Sequence, residues 1–242
     1  MSQVLVVSDL DGTLLGQAEA LQRFAHWHAE RSEQVLLAYS SGRSCASVVE
    51  SIRKNDLPEP VAIIGGVGTE IERYPGGGVV RGWPSAGPPA WSAQRVREAL
   101  ANIGRLELQD EEFQSTYKVS YFLHDALPHE LPEIRACLSG FGLACDLVYS
   151  SQRDLDLLPS GVNKGTAARY LAKALHVPAS RLIVCGDSGN DASMFQQGFR
   201  GVIVANALPE LRSRQGDDIY HASQAFAAGV VEGLDHWLGT IS

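Results

Sequence analysis

Val4-Leu5-Val6-Val7-Ser8-Asp9-Leu10-Asp11-Gly12-Thr13 joins an apolar, β-branched run to two carboxylates and a glycine. A run of this kind reads as a buried strand that delivers acids to its C-terminal edge. In an open parallel sheet, ligands sit outside the carboxyl ends of the strands, so Asp9 and Asp11 fall where a crevice is expected. Two residues apart on extended chain, they lean towards the same side. Like charges this close are costly without a cation between them or a proton on one, and both remedies are catalytic resources. A solvated Asp-Gly turn is the competing reading of this stretch, and the stretches that follow decide between them.

Working outward, Leu21, Phe24, Ala25 and His28 recur at helical spacing over residues 18–31, and residues 34–39 (QVLLAY) return to a buried strand, completing a βαβ unit. That strand ends in Ser40-Ser41-Gly42-Arg43-Ser44 before an amphipathic run over 45–52. Hydroxyls and a glycine at a helix start suit a phosphate, although capping by Ser44 accounts for the same residues. Residues 61–64 form a third buried strand that ends in Gly65-Gly66-Val67-Gly68-Thr69-Glu70. Residues 70–73 and 79–83 then read as a hairpin through Pro75-Gly76-Gly77-Gly78.

Composition shifts at Pro84-Ser85-Ala86-Gly87-Pro88-Pro89, the best linker candidate and the expected domain boundary. Beyond it the patterns predict a helix over 90–103, strands at 106–109 and 118–123, a helix over 128–139, and strands at 144–149 and 154–158. Paired strands with single helices describe a small α+β domain with a largely antiparallel sheet. Pro159-Ser160-Gly161 marks the return, and Val162-Asn163-Lys164-Gly165 opens a helix. A Lys in a first turn opposes the macrodipole, so Lys164 argues for a nearby anion. Residues 182–185 form a strand that ends in Gly186-Asp187-Ser188-Gly189-Asn190-Asp191, an acidic turn fit for Mg2+, which takes few carboxylates plus water and substrate oxygens. A strand at 201–204, a helix from 208, a short segment at 219–221 and a helix over 225–238 close the chain.

The formal charge of −8 over 242 residues and the lack of any dense Lys/Arg run argue against a nucleic-acid partner. No run is long enough to span a bilayer, and the first ten residues lack the basic region of a secretory signal. Cys45, Cys137, Cys145 and Cys185 have no CxxC spacing, so reduced thiols and a cytoplasmic location are expected.

Three parallel-type strands thus end in DLDGT, SSGR and GDSGND, with a Lys opening the helix after the inserted domain. A carboxylate pair, a hydroxyl clamp, a Lys and a divalent metal fit phosphoryl transfer through an aspartyl-phosphate. The set resembles the four motifs of haloacid-dehalogenase superfamily phosphatases, matched by Asp9/Asp11, Ser41, Lys164 and Asp187/Asp191. That resemblance implies an α/β fold: a doubly wound, Rossmann-like parallel-sheet core over residues 1–83 and 160–242, with an inserted α+β cap over 84–159. It further implies Asp9 as nucleophile, Asp11 as acid and then base, and Ser41, Gly42, Lys164 and Asn190 around the phosphoryl group. Mg2+ would lie on Asp9, Asp187 and the backbone carbonyl of Asp11, with Asp191 orienting the metal shell or Lys164. At a reference pKa of about 3.9, an aspartic acid is only about 0.1% protonated at pH 7, so an acid role requires a site that favours its protonated form.

Finer stretches, LAYSSGRS, KVSYFL, YSSQRDLDLLP and NKG followed by VCGDSGND, are similar to the sucrose-phosphate phosphatase family. That likeness implies a disaccharide-phosphate substrate, sucrose 6-phosphate, whose sugar is held by the cap, for which Glu70, Lys118, Tyr121 and Asp154 are the nominated sugar contacts; a monomer or homodimer is expected separately. IIGGVGTE, FLHDA, NALPEL and GVVEGLDHW also resemble mannosylfructose-phosphate phosphatases. Ser41 in place of Thr, and Gly-Gly-Val-Gly-Thr after the third strand, depart from the sucrose-phosphate pattern. A sugar phosphomutase on the same scaffold is the remaining alternative, distinguished by dependence on a sugar bisphosphate.

Overall fold

The computed structural model describes residues 3–84 and 91–241. β1 (Val4–Asp9), β2 (Val35–Ser40) and β3 (Ala62–Gly65) lie side by side in parallel, linked by α1 (Ala18–Ala29) and α2 (Cys45–Lys54). β4 (Glu70–Arg73) closes that edge antiparallel to β3. On the other side of β1 come β9 (Leu182–Gly186), β10 (Arg200–Ile203) and β11 (Ile219–His221), all parallel. The seven-stranded order is β11-β10-β9-β1-β2-β3-β4. Chain order runs outward from β1 in both directions, so the topological switch point falls at the end of β1, where Asp9 lies. All six residues of β1 and all five of β9 are buried, as parallel strands covered on both faces require.

A second sheet, β5-β6-β8-β7, is wholly antiparallel: β5 (Glu107–Leu108), β6 (Val119–Phe122), β7 (Cys145–Ser150) and β8 (Asp154–Pro159). It has its own core, in which Val96, Leu100, Val119, Tyr121, Ile134, Leu138, Leu155 and Leu157 meet under α3 (Ala93–Leu100) and α4 (Glu130–Gly140). Residues 85–89 of the expected linker, and residue 90 at the start of the expected helix, lie outside the described residues. α5 (Lys164–Ala174) returns the chain to the larger sheet, and α6 (Pro209–Arg212) and α7 (Phe226–Leu238) follow β10 and β11. No helix among the described residues is long and apolar enough to cross a membrane, and all four cysteines are free.

The expected hairpin between residues 70–73 and 79–83 is replaced by a different pairing. β4 pairs with β3 through the tight turn Gly66–Gly68, leaving only a bridge between Glu72 and Val79. The turn brings Gly68 against the start of α5. A Cβ on Gly68, whose φ is +98°, would stand 2.2 Å from the carbonyl carbon of Asn163. Only glycine allows that approach, and through it the turn after β3 buttresses the residue preceding Lys164.

Candidate active site

β9, β1 and β2 are neighbours, so the acidic turn after β9, the acids of β1 and the hydroxyl loop after β2 arrive at one edge. Lys164, the first residue of α5, reaches them from the inserted segment's return. Its side chain is fully buried, and Nζ donates to Asp9 Oδ1 at 2.7 Å, Asp191 Oδ1 at 2.6 Å and Asn190 Oδ1 at 2.7 Å. The anion that a first-turn Lys calls for is therefore supplied by the protein itself. Burial works against the Lys164 ammonium, but Asp191 and Asp9 outweigh it and drive the pKa up, so the lysine is charged.

The second oxygen of Asp191 accepts from the backbone N–H groups of Asp187 and Ser188 at 3.0 and 3.2 Å. Asp191 thus ties the turn after β9 to Lys164. Thr13 Oγ1 donates to Asp187 Oδ1 at 2.9 Å, and Asn206 Nδ2 donates to the Gly12 carbonyl at 2.7 Å. Gly12, at φ +86°, lets the backbone after Asp11 lie against the Asp187 carboxylate; a Cβ there would come within 2.5 Å of Oδ2.

Oxygens of Asp9, Asp187 and Asp191 lie within 4.8 Å of one another, all three residues buried. Burial pushes Asp9 well up, with Asp191 and Asp187 adding to it and Lys164 pulling the other way. Burial and Asp191 push Asp187 up to about 7. Three carboxylates around one ammonium leave an excess of buried negative charge, which a hard divalent cation would offset. Asp9 and Asp187 each keep one oxygen without a hydrogen bond among the described residues, whereas both oxygens of Asp191 are engaged. The donor set fits Mg2+ on Asp9 and Asp187.

Asp11 stands apart from this cluster. Its side chain is 59% exposed and its Oδ2 lies 2.8 Å from Arg43 Nε, while Arg43 also donates to Ser51 Oγ at 2.8 Å. Ser41 is buried, and its hydroxyl accepts from the Arg43 backbone N–H at 3.1 Å. A cavity of about 390 Å³ spans the two sheets and joins Asp9, Asp11, Ser41, Gly42 and Asn190 to Lys118, Asp154 and Asp156 of the smaller sheet. That volume is typical of small-molecule sites.

Two of the nominated sugar contacts lie elsewhere. Tyr121 points away from this cavity into the core of the smaller sheet, where it is 6% exposed. The period of two on β6 sends Val119 and Tyr121 inward, so Phe122 takes the place on the cavity wall assigned to the aromatic. Glu70 accepts from the Cys45 backbone N–H at 3.2 Å, occupying the start of α2, and lines a smaller adjoining cavity of about 130 Å³. Ser44 caps the same helix by accepting from Ser47 N–H. Lys118 and Asp154 do line the main cavity, Lys118 at 3.6 Å from Asp156.

Sequence reasoning missed several groups that line this cavity or brace its lining from behind. Ser120 Oγ donates to Asp156 Oδ1 at 2.5 Å, and Gln109 Nε2 donates to Asp154 Oδ1 at 3.0 Å. Alternation along β6 and β8 could have placed Ser120 and Asp156 on one face; no local signal marks Gln109, 45 residues from its partner. Thr13 and Asn206 are likewise visible only once distant segments meet.

The sequence matches the sucrose-6F-phosphate phosphohydrolase family model over residues 2–238. It is 37% identical over 238 residues to a mannosylfructose-phosphate phosphatase of Agrobacterium fabrum, covering 96% of each chain. It is 33% identical over 253 residues to a sucrose-phosphatase of Nicotiana tabacum, covering 97% of this chain and 59% of the tobacco protein's length. Among solved structures, the sucrose-phosphatase of Synechocystis sp., determined with sucrose and phosphate, superposes with a TM-score of 0.92 at 33% identity, covering 98% of both chains. With its acids, hydroxyl and lysine gathered at the switch point of a Rossmann-like sheet, the chain is a haloacid-dehalogenase-type sugar-phosphate phosphatase and belongs to the sucrose-6F-phosphate phosphohydrolase family.

Proposed function

We propose that this phosphatase hydrolyses a disaccharide phosphate, sucrose 6-phosphate first and mannosylfructose phosphate second, with Asp9 as nucleophile. The observation that carries the reading is the single cavity joining Asp9 to a wall of carboxylates, Lys118 and Phe122 on the smaller sheet. Carboxylates and ammonium groups suit sugar hydroxyls as acceptors and donors, and an aromatic face suits the apolar side of a ring. The 37% identity to the Agrobacterium enzyme over nearly the full length of both chains keeps mannosylfructose phosphate as the second substrate.

In the reaction, an Asp9 carboxylate oxygen forms a bond to phosphorus as the bond between phosphorus and the sugar oxygen breaks. Asp11, on the open side of the cavity, gives its proton to the departing sugar oxygen. It then takes a proton from the water that attacks the aspartyl-phosphate, returning free Asp9 and inorganic phosphate. Ser41 and Gly42 hold the phosphoryl oxygens, while Lys164, its three N–H groups given to Asp9, Asn190 and Asp191, sets the nucleophile's position and supplies positive charge from behind it. Mg2+ on Asp9 and Asp187, with the backbone carbonyl of Asp11, would supply positive charge against the phosphoryl group and the nucleophile. Phosphate monoesters are among the slowest esters to hydrolyse unaided, with accelerations up to ~10^21 known, so nucleophile, cation and acid are needed together.

Purified protein with Mg2+ is expected to release phosphate from sucrose 6-phosphate or mannosylfructose phosphate, and chelation of the metal is expected to stop it. A side-by-side kcat/KM comparison ranks the two. Release from neither overturns the disaccharide reading.

The raised pKa of Asp187 gives a second test, in stability. The folded protein holds this proton more tightly than an unfolded chain whose carboxylate titrates near 3.8, so the stabilisation is present at low pH and lost as pH rises from about 4 to about 7. Mg2+ binds the ionised form. Its addition is therefore expected to raise Tm more at about pH 7.5 than at about pH 5.5. An equal shift at both values would mean that the cation is held elsewhere.

A further inference from the structure

Asp154 lines the cavity, yet both of its oxygens are taken. Oδ1 accepts from Gln109 Nε2 at 3.0 Å and from Arg153 Nε at 3.1 Å, and Oδ2 accepts from Arg153 Nη2 at 2.9 Å. This is a two-pronged guanidinium–carboxylate pair whose planar geometry fixes the arginine's orientation. The guanidinium carbon also lies 5.5 Å from the centroid of the Phe122 ring, which supports it from a second element. Gln109 is 8% exposed and is itself anchored to the Tyr121 carbonyl at 3.2 Å, so the carboxylate that aims Arg153 is held from behind.

What remains free on this wall is different from what the sequence nominates. Arg153 Nη1 has no hydrogen bond among the described residues, and the Arg153 side chain is 54% exposed and lines the cavity. Its charge is already matched by Asp154, so its spare N–H groups suit neutral hydroxyl oxygens better than a second phosphate. Asp156, with Oδ1 given to Ser120, keeps Oδ2 as an acceptor nearby on the same wall.

We propose that Arg153 is a specificity residue, donating from Nη1 to a hydroxyl of the sugar ring remote from the phosphate, and that Asp154 positions it without contacting the sugar. This rests on the disaccharide-phosphate reading given above. The guanidinium is the only side chain in the pair with donors to spare, so a disaccharide gains a contact here that a small aryl phosphate does not make.

The test compares kcat/KM for sucrose 6-phosphate and mannosylfructose phosphate with kcat/KM for p-nitrophenyl phosphate in wild type, Arg153→Ala, Arg153→Lys, Asp154→Asn and the Arg153→Ala/Asp154→Asn double variant. Loss of one charge-assisted hydrogen bond predicts that the disaccharide-to-aryl ratio falls about tenfold or more in Arg153→Ala, mainly through KM. Arg153→Lys is expected to restore little of it, because an ammonium has no planar fork to pair with Asp154 at two points and so loses the fixed direction that aims Nη1. The double variant should be no worse than Arg153→Ala alone, since Asp154 acts through the arginine. An unchanged ratio in Arg153→Ala, full recovery in Arg153→Lys, or additive losses in the double variant would each overturn the assignment while leaving the proposed function standing. If the wild type cleaves the aryl phosphate but neither disaccharide phosphate, the substrate reading itself fails and this inference fails with it.

Discussion

Asp9→Asn is expected to abolish turnover, by about 10^4-fold or more in kcat, without lowering the melting temperature. The loss follows from chemistry: an amide oxygen is a poor nucleophile at phosphorus, and residues acting as one unit lose nearly everything when the nucleophile goes. Retained stability follows from the charge count. Asp9, Asp187 and Asp191 surround the single ammonium of Lys164, and burial together with the other two acids already pushes Asp9 up. An asparagine keeps the shape and keeps an oxygen for the 2.7 Å bond from Lys164, while removing one of the repelling charges. Tm without added metal is therefore expected to equal or exceed that of the wild type. Measurable turnover above a contamination control would remove Asp9 as nucleophile; a large fall in Tm would contradict the account of the charge cluster.

Lys164→Met should damage both activity and fold. Methionine fills a similar volume, so the change isolates the charge. Lys164 is fully buried and holds Asp9, Asp191 and Asn190 at 2.6–2.7 Å. Removing one partner of a buried ionic cluster leaves the others uncompensated, at a cost of about 3–5 kcal/mol. The cost is expected to shrink at acid pH. Without Lys164, Asp9 holds its proton more firmly in the folded state than in the unfolded chain, which favours folding below the unfolded pKa and is lost as pH rises. Chemical denaturation at two pH values reads both effects, and the Lys164→Met/Asp191→Asn double variant should recover part of the loss. A variant as stable as wild type at neutral pH would show that the three contacts carry no net stabilisation.

The acidic edge of the larger sheet was legible in the sequence because each of its parts is local. A β-branched run ending in Asp9-Leu10-Asp11-Gly12, a strand ending in Ser41-Gly42 and another ending in Asp187-Ser188-Gly189-Asn190-Asp191 each announce a buried strand with chemistry at its end. Lys164 was legible as an anomaly, a cation at a helix start, though its anions proved to be Asp9 and Asp191. The cavity wall on the smaller sheet was only half legible. The alternation Asp154-Leu155-Asp156-Leu157 marks one polar face, but KVSYFL offers Tyr121 and Phe122 as neighbours, and a one-residue choice decides which ring faces the cavity. Pairing of Tyr121 with Leu155 put the tyrosine on the apolar side. The hairpin expected from Pro75-Gly76-Gly77-Gly78 failed for a similar reason: β4 had a better partner in β3, made available by the turn at Gly66–Gly68.

By itself, the sequence determined the strand ends, the residue types that meet at the switch point and the presence of an inserted α+β segment, because burial periodicity and turn chemistry act over a few residues. Tertiary structure alone decided that Asp191 serves Lys164, that Arg43 pairs with Asp11, and that Gln109 braces Asp154. Those outcomes depend on which distant groups compete for the same oxygen at 3 Å. Hydrogen bonding and charge pairing at that range are settled by where the chain folds, and no local pattern encodes them.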